Sequence, residues 1–155
     1  MRKFIPGSLF IIVPVIILLL LSCTAGSCLE ETESYLKASF YDNTTKKLLP
    51  PDTLTLYGIN RDSIIYNQKP KVQPALMPLN SSSQSCIFII KIKGVADTIE
   101  FRYSSYPHFV SKECGYTFYH QLDTALVYSK NFIKGIYISN QTITNLNVEN
   151  IRIFY

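Results

Sequence analysis

Between Cys86 and Tyr103 the chain holds two apolar-rich runs, the second alternating apolar and polar residues with a period of two, and this constrains its fold more than any other feature. Cys86, Phe88, Ile90 and Ile92 share one face of an extended run. Ile99, Phe101 and Tyr103 share one face of the next, with Thr98, Glu100 and Arg102 opposite. Gly94-Val95-Ala96 stands between the two runs as the turn of a hairpin. A helix would scatter these side chains around its circumference, because its period is 3.6. A half-buried sheet gives them a common side.

The same period recurs along the chain. Leu36, Ala38 and Phe40 point one way and Lys37 and Ser39 the other, and Asp42-Asn43 supplies a turn. Leu54 and Leu56 share a face in a strand over 53–57, and a shorter strand is expected over 63–66. Residues 67–75 hold Pro70 and Pro74 and read as an exposed, extended loop. Leu76 to Leu79 reads as an edge strand, where a proline is tolerated. Further strands are expected over 110–119, interrupted at Gly115, and over 125–128, 132–139, 142–146 and 150–155. No stretch carries a helical stripe, and residues 121–129 show the weakest pattern. Abundant Tyr, Ile and Thr suit a pleated surface. The expected fold is all-β: one antiparallel β-sandwich of the immunoglobulin-like, Greek-key kind over residues 35–155, its last strand tied into a sheet.

The N-terminus obeys different rules. Arg2 and Lys3 precede an apolar run of 13 residues, Leu9 to Leu21, broken by Pro14. That length suits a secretory signal and falls short of the roughly 20 residues of a spanning helix. Leu20-Leu21-Ser22-Cys23 follows and looks like a lipobox, the recognition site of bacterial lipoprotein signal peptidase. The thiol of Cys23 is the nucleophile such a site requires, and the small Ser22 lets the cut bond enter the protease. The expectation is a signal peptide over 1–22, cleaved between Ser22 and Cys23, and a lipidated tether over 23–34. Two or three acyl chains at Cys23 would make the membrane a partner through a lipid anchor. Without the leader 133 residues remain, enough for one domain with a normal core.

The formal charge of +4 falls when Arg2 and Lys3 leave, with 13 Lys+Arg against 11 Asp+Glu. The remaining lysines are scattered and form no stripe able to neutralise a phosphate backbone, so nucleic acid is not an expected partner. Four cysteines are present: Cys23, Cys28, Cys86 and Cys114. Export places them in an oxidising space. With Cys23 acylated, three pairings stay open among the others. Pattern favours Cys28 with Cys114, both in polar, loop-like contexts, whereas Cys86 lies on the apolar face of its strand.

Catalytic chemistry finds little purchase. His108 and His120 lie at no metal-ligand spacing, and the cysteines form no Cys-x-x-Cys pair, so neither a metal nor any other cofactor is expected. Asp123 stands three residues from His120, but no nucleophile elbow accompanies it. Glu30-Glu31, the adjacent carboxylate pair, lies in the tether. Four acid-hydroxyl pairs resemble a bacterial O-glycosylation pattern and mark Thr53, Ser63, Thr98 and Thr124 as candidates. An Asp turn followed by a β-branched strand start produces the same string.

Several short motifs occur in order: Cys23 and Cys28 with four residues between them, Leu29-Glu30-Glu31, Phe40-Tyr41-Asp42, Leu56-Tyr57-Gly58, Asp62-Ser63-Ile64, Pro78-Leu79-Asn80, Asp97-Thr98-Ile99 and Glu113-Cys114-Gly115-Tyr116, with Ile151-Arg152-Ile153-Phe154-Tyr155 at the end. Together they resemble a family of short Bacteroidota lipoproteins known only as a domain of unknown function. The resemblance implies an envelope lipoprotein with a β-rich body and supplies no activity. It agrees with pairing Cys28 and Cys114.

The expected function is that of a non-enzymatic envelope lipoprotein, on the outer membrane and facing the periplasm, that contacts a protein or a glycan. No acidic run directly follows Cys23, which favours that orientation over the cell surface. Tyr57, Tyr106 and Tyr119 are candidate contact residues, since tyrosine offers an apolar body and a polar tip. An envelope hydrolase using His108 or His120 is the alternative, and an accessory subunit of an envelope assembly is a third.

Overall fold

The computed structural model describes residues 28–59 and 63–155. The signal segment, Ser22, Cys23, the first part of the tether and Asp62 lie outside the described residues. The remainder is all-β, with eleven strands: β1 (Tyr35–Tyr41), β2 (Leu54–Gly58), β3 (Ile64–Lys69), β4 (Ala75–Pro78), β5 (Ser85–Ile92), β6 (Val95–Ser111), β7 (Gly115–Leu122), β8 (Val127–Tyr128), β9 (Gly135–Ile138), β10 (Thr142–Ile143) and β11 (Ile151–Phe154). They form two sheets, β4-β1-β11-β9 and β10-β7-β6-β5-β2-β3, with β8 added beside β6.

The alternation explains the packing. Phe88, Ile90 and Ile92 of β5 and Ile99, Phe101 and Tyr103 of β6 are almost fully buried. They meet Leu54 and Leu56 of β2, and Leu36, Phe40, Met77, Ile151 and Ile153 from the other sheet, in one cluster. Phe88 and Phe101 pack edge to face at 6.1 Å between centroids. A buried side chain of this size contributes roughly 1.5–3 kcal/mol, so this layer carries most of the driving force. Cys86 is half buried and packs against the cluster from its side.

The two ends of the chain lie together. β1 pairs with β11 in parallel, Ala38 opposite Ile151 and Tyr41 opposite Phe154, so this sheet is mixed. The expectation of a purely antiparallel sandwich is corrected at this one pair. Strands so distant in sequence share no tight turn, so nothing forces them to run in opposite senses. The other face of β1 is also covered. Lys37 and Ser39 are each only 7% exposed. Asn150 is the clasp: its Oδ1 accepts from the Lys37 N–H at 2.9 Å, and its Nδ2 donates to Thr142 O at 3.0 Å. The Lys37 ammonium donates to Leu146 O at 2.7 Å. Burial lowers its pKa, partly offset by Glu31.

Four further boundaries differ from the sequence reading. The β5–β6 turn is Lys93-Gly94, with φ of 51° and 82°, so Val95 and Ala96 belong to β6. This is the left-handed pair that a two-residue hairpin needs. β3 continues to Lys69, and Val72, only 7% exposed, anchors the segment expected to be an exposed loop. The strand expected over 110–119, interrupted at Gly115, is the end of one strand, a turn and the start of another: β6 runs unbroken through Pro107 to Ser111, and β7 starts at Gly115. Pro107 lies inside β6. It is tolerated because beyond Tyr103 the described ladder of β6 is with β7 alone. The expected strands over 125–128, 132–139 and 142–146 are shorter, at β8, β9 and β10.

Candidate functional site

Three places on this fold bring chemistry-bearing side chains together. The first is a groove of about 640 Å³ where edge strand β9 faces β7, β8 and β10 of the other sheet. Its volume falls in the range of small-ligand sites. Leu126, Ile136 and Ile138 line it and also pack against the core, so its floor is apolar. Tyr137 on β9 is 60% exposed, and Tyr128 stands across from it on β8. The polar lining is amide and hydroxyl, including Gln121, Asn140 and Thr124, with no charged residue. Some of these groups are held in place. Thr142 Oγ1 donates to Gln121 Oε1 at 3.0 Å, and Asn140 Oδ1 accepts from the Thr142 N–H at 2.9 Å.

The second is the arm formed by the distal halves of β6 and β7. Alternation puts Tyr106 and His108 on one face with Tyr119, and Phe109 on the other with Tyr116 and Phe118. His108 stacks on Tyr119 at 4.1 Å, and Tyr106 meets the same ring edge-on at 6.2 Å. Tyr119 OH donates to Asn145 Oδ1 at 2.7 Å. Burial raises the Tyr119 pKa, with Tyr106 and Glu30 adding to it. Phe109 and Tyr116 pack at 5.3 Å and remain 50% and 72% exposed. Cys28 and Cys114 form a disulfide at the arm's turn, the pairing that pattern favours. From there the N-terminal segment follows the arm inward. Thr117 Oγ1 donates to Thr32 O, and Ser34 Oγ donates to Phe118 O. Asn145 Nδ2 donates to Glu31 O at 2.8 Å.

The third is His120, at the base of the arm and only 3% exposed. Its Nδ1 and Ser105 Oγ are joined by a 2.8 Å hydrogen bond, and its ring meets Tyr103 edge-on at 5.5 Å. Burial lowers its pKa, which keeps the imidazole neutral at pH 7. His120 lines a small cleft of about 280 Å³ with Glu33 and Ser81, but Ser105 does not line it. A hydroxyl and a base therefore meet, while only the base lines the cleft.

The remaining sequence candidates stay apart. Thr53, Ser63, Thr98 and Thr124 are all exposed and widely separated along the chain. Asp97, which precedes Thr98, turns inward and is 2% exposed. Asp52, which precedes Thr53, meets Lys71 at 2.6 Å on the surface. Asp42 Oδ1 gathers the N–H groups of Thr44 and Thr45, and these hydrogen bonds lower its pKa, as its turn requires. Among the described residues no three His, Cys, Asp or Glu side chains converge. Of the candidate tyrosines, Tyr106 is 41% exposed, and Tyr57 and Tyr119 are half buried. Sequence reasoning missed Tyr128 and Tyr137, whose groove arises because β8 and β9, close in the chain, join different sheets. It also missed the Ser105–His120 contact, which depends on the β6–β7 register.

The groove and the arm's two strands lie within residues 53–155, the segment matched by the model of a family described as a family of unknown function, DUF6452. No curated protein and no solved structure matches the chain. The match spans about two thirds of the sequence, and the chain belongs to this family of unknown function.

Proposed function

We propose that the chain is a bacterial envelope lipoprotein, acylated at Cys23, whose domain binds a neutral glycan without transforming it. The observation that carries the binding reading is the groove between the sheets: an apolar floor, amide and hydroxyl walls, no charge, and Tyr128 and Tyr137 at its sides. Sugars offer apolar C–H faces edged by hydroxyls. Aromatic rings cover the first and amides the second. Anionic ligands find no cation in this lining. The anchoring reading is supported by the positive start, the apolar run and Leu-Leu-Ser-Cys in their order. Placement on the outer membrane, facing the periplasm, follows the same expectation.

The test is a neutral-glycan array probed with the detergent-solubilised full chain and with Tyr137→Ala. Retention of a neutral glycan, weakened about tenfold by the substitution, is expected. A chain that retains none, and a Tyr137→Ala variant that behaves identically, would sink the glycan reading.

A second reading has its own observation, the 2.8 Å contact between Ser105 and His120. A hydrolase would use Ser105 as nucleophile and His120 as base. It predicts covalent labelling of Ser105 by a fluorophosphonate, lost in His120→Gln. An unlabelled native chain removes it.

A further inference from the structure

Leu29 and Tyr116, at 91% and 72%, are the most exposed large apolar residues among those described, and both sit beside the Cys28–Cys114 disulfide at the tip of the arm. Phe109, half exposed, packs on Tyr116. An exposed apolar group this concentrated marks a contact surface. The chain itself limits what that contact can be. Cys23 precedes Cys28 by five residues, which span at most about 18 Å when fully extended. The disulfide holds Cys28 and Cys114 with their Cα atoms 4.8 Å apart. On the other side of Cys28 the segment is tied to β7 through Thr32 and Ser34, so no slack can come from the domain.

We infer that the arm's tip, through Leu29, Phe109 and Tyr116, rests in the headgroup region of the membrane that anchors the protein. This rests on acylation at Cys23. Amphipathic rings prefer that depth, where one end is wet and the other apolar. The turn residues Lys112 and Glu113 carry opposite charges, so the contact does not depend on anionic lipid. The arm then acts as a strut. Between Gly115 and Gln121 the strand rises about 3.3 Å per residue, which lifts the groove on the order of 20 Å from the surface and leaves it open.

The chain has no tryptophan, so one introduced Trp reports its own depth. Tyr116→Trp and Val95→Trp would be made in the full, acylated protein and reconstituted into vesicles of phosphatidylcholine brominated on its acyl chains. Val95 starts the same 17-residue strand, so it stands far from the tip. Quenching of Tyr116→Trp by roughly twofold, with Val95→Trp unchanged, is expected. Phe109→Trp serves as a second tip probe and should match Tyr116→Trp. Equal, weak quenching at all three positions on a chain shown by mass to be acylated would overturn the inference and leave the anchor standing. A tip probe insensitive to bromolipid yet shielded from iodide would also overturn it, and would put protein on the tip. A membrane-extracted chain without acyl groups at Cys23 would remove the anchoring reading, and the inference with it.

Discussion

Asp97 is a carboxylate with 2% of its surface exposed, and four donors surround it. The Ser129 hydroxyl lies at 2.6 Å, and the N–H groups of Asn131, Phe132 and Ile133 lie at 2.8, 2.8 and 2.9 Å. Burial alone would push its pKa up, but these hydrogen bonds outweigh it and hold the carboxyl below its ordinary 3.8. It ties the 129–133 segment, and so the approach to β9, to the start of β6. Asp97→Ala leaves those buried donors unsatisfied and should destabilise the fold by about 3 kcal/mol in urea titration. Its pH signature has a definite sign. The folded pKa is lowered, so this stability is present above 3.8 and lost as pH falls through the lower folded value. His120 acts in a higher window. Its folded pKa lies below 6.5, so the unfolded chain binds a proton first and stability declines as pH drops under 6.5. His120→Gln should flatten the stability profile between pH 7 and the lower folded value, read by thermal melts at a series of pH values. In sequence, Asp97 reads as a turn residue ahead of Thr98. Its partners lie more than 30 residues away, which no local pattern encodes.

At the level of elements, the β5–β6 hairpin was the most legible part. Ile90, Ile92, Ile99 and Phe101 announce it by alternation, and they are buried as that alternation requires. The turn lies one residue earlier than Gly94-Val95-Ala96 because Lys93 adopts the left-handed region beside Gly94, and the sequence does not display φ. Gly94→Val puts a β-branched residue at φ 82° with no atom within 4 Å of its Cβ, so the cost is backbone strain alone. A loss of about 1–2 kcal/mol, without loss of fold, is expected from denaturation curves. The arm was less legible, because Pro107 conceals a strand that survives on its pairing with β7. The disulfide spans 86 residues and contributes on the order of 4 kcal/mol by restricting the unfolded chain. Replacing Cys28 and Cys114 together by Ser should lower stability by about 2–4 kcal/mol and expose residues 28–34 to limited proteolysis, while the β5–β6 core stays protected from hydrogen exchange.

At the scale of the molecule, both ends of the domain meet in one sheet, with β11 between β1 and β9. Ile151 and Ile153 are fully buried, so Ile153→Ala should cost about 2–4 kcal/mol, and deletion of residues 150–155 should abolish cooperative unfolding altogether. An all-β sandwich could be read from the sequence because its cause is local alternation. The parallel β1–β11 pair, the burial of Lys37 under Asn150 and the groove beneath Tyr137 could not, since each joins residues about 10 to 110 positions apart. Together they give a body whose N-terminal segment is pinned along an aromatic arm and whose groove opens elsewhere. On the proposed anchoring, this body hangs from a lipid at Cys23. The most direct measurement is the intact mass of the protein extracted from membranes, alongside the partition of Cys23→Ala. Anchoring at Cys23 requires a chain that begins at Cys23 and carries two or three acyl groups, and a Cys23→Ala variant no longer held by the membrane through a lipid. A native chain that keeps residues 1–22 and carries no acyl group, with Cys23→Ala still embedded, would contradict it.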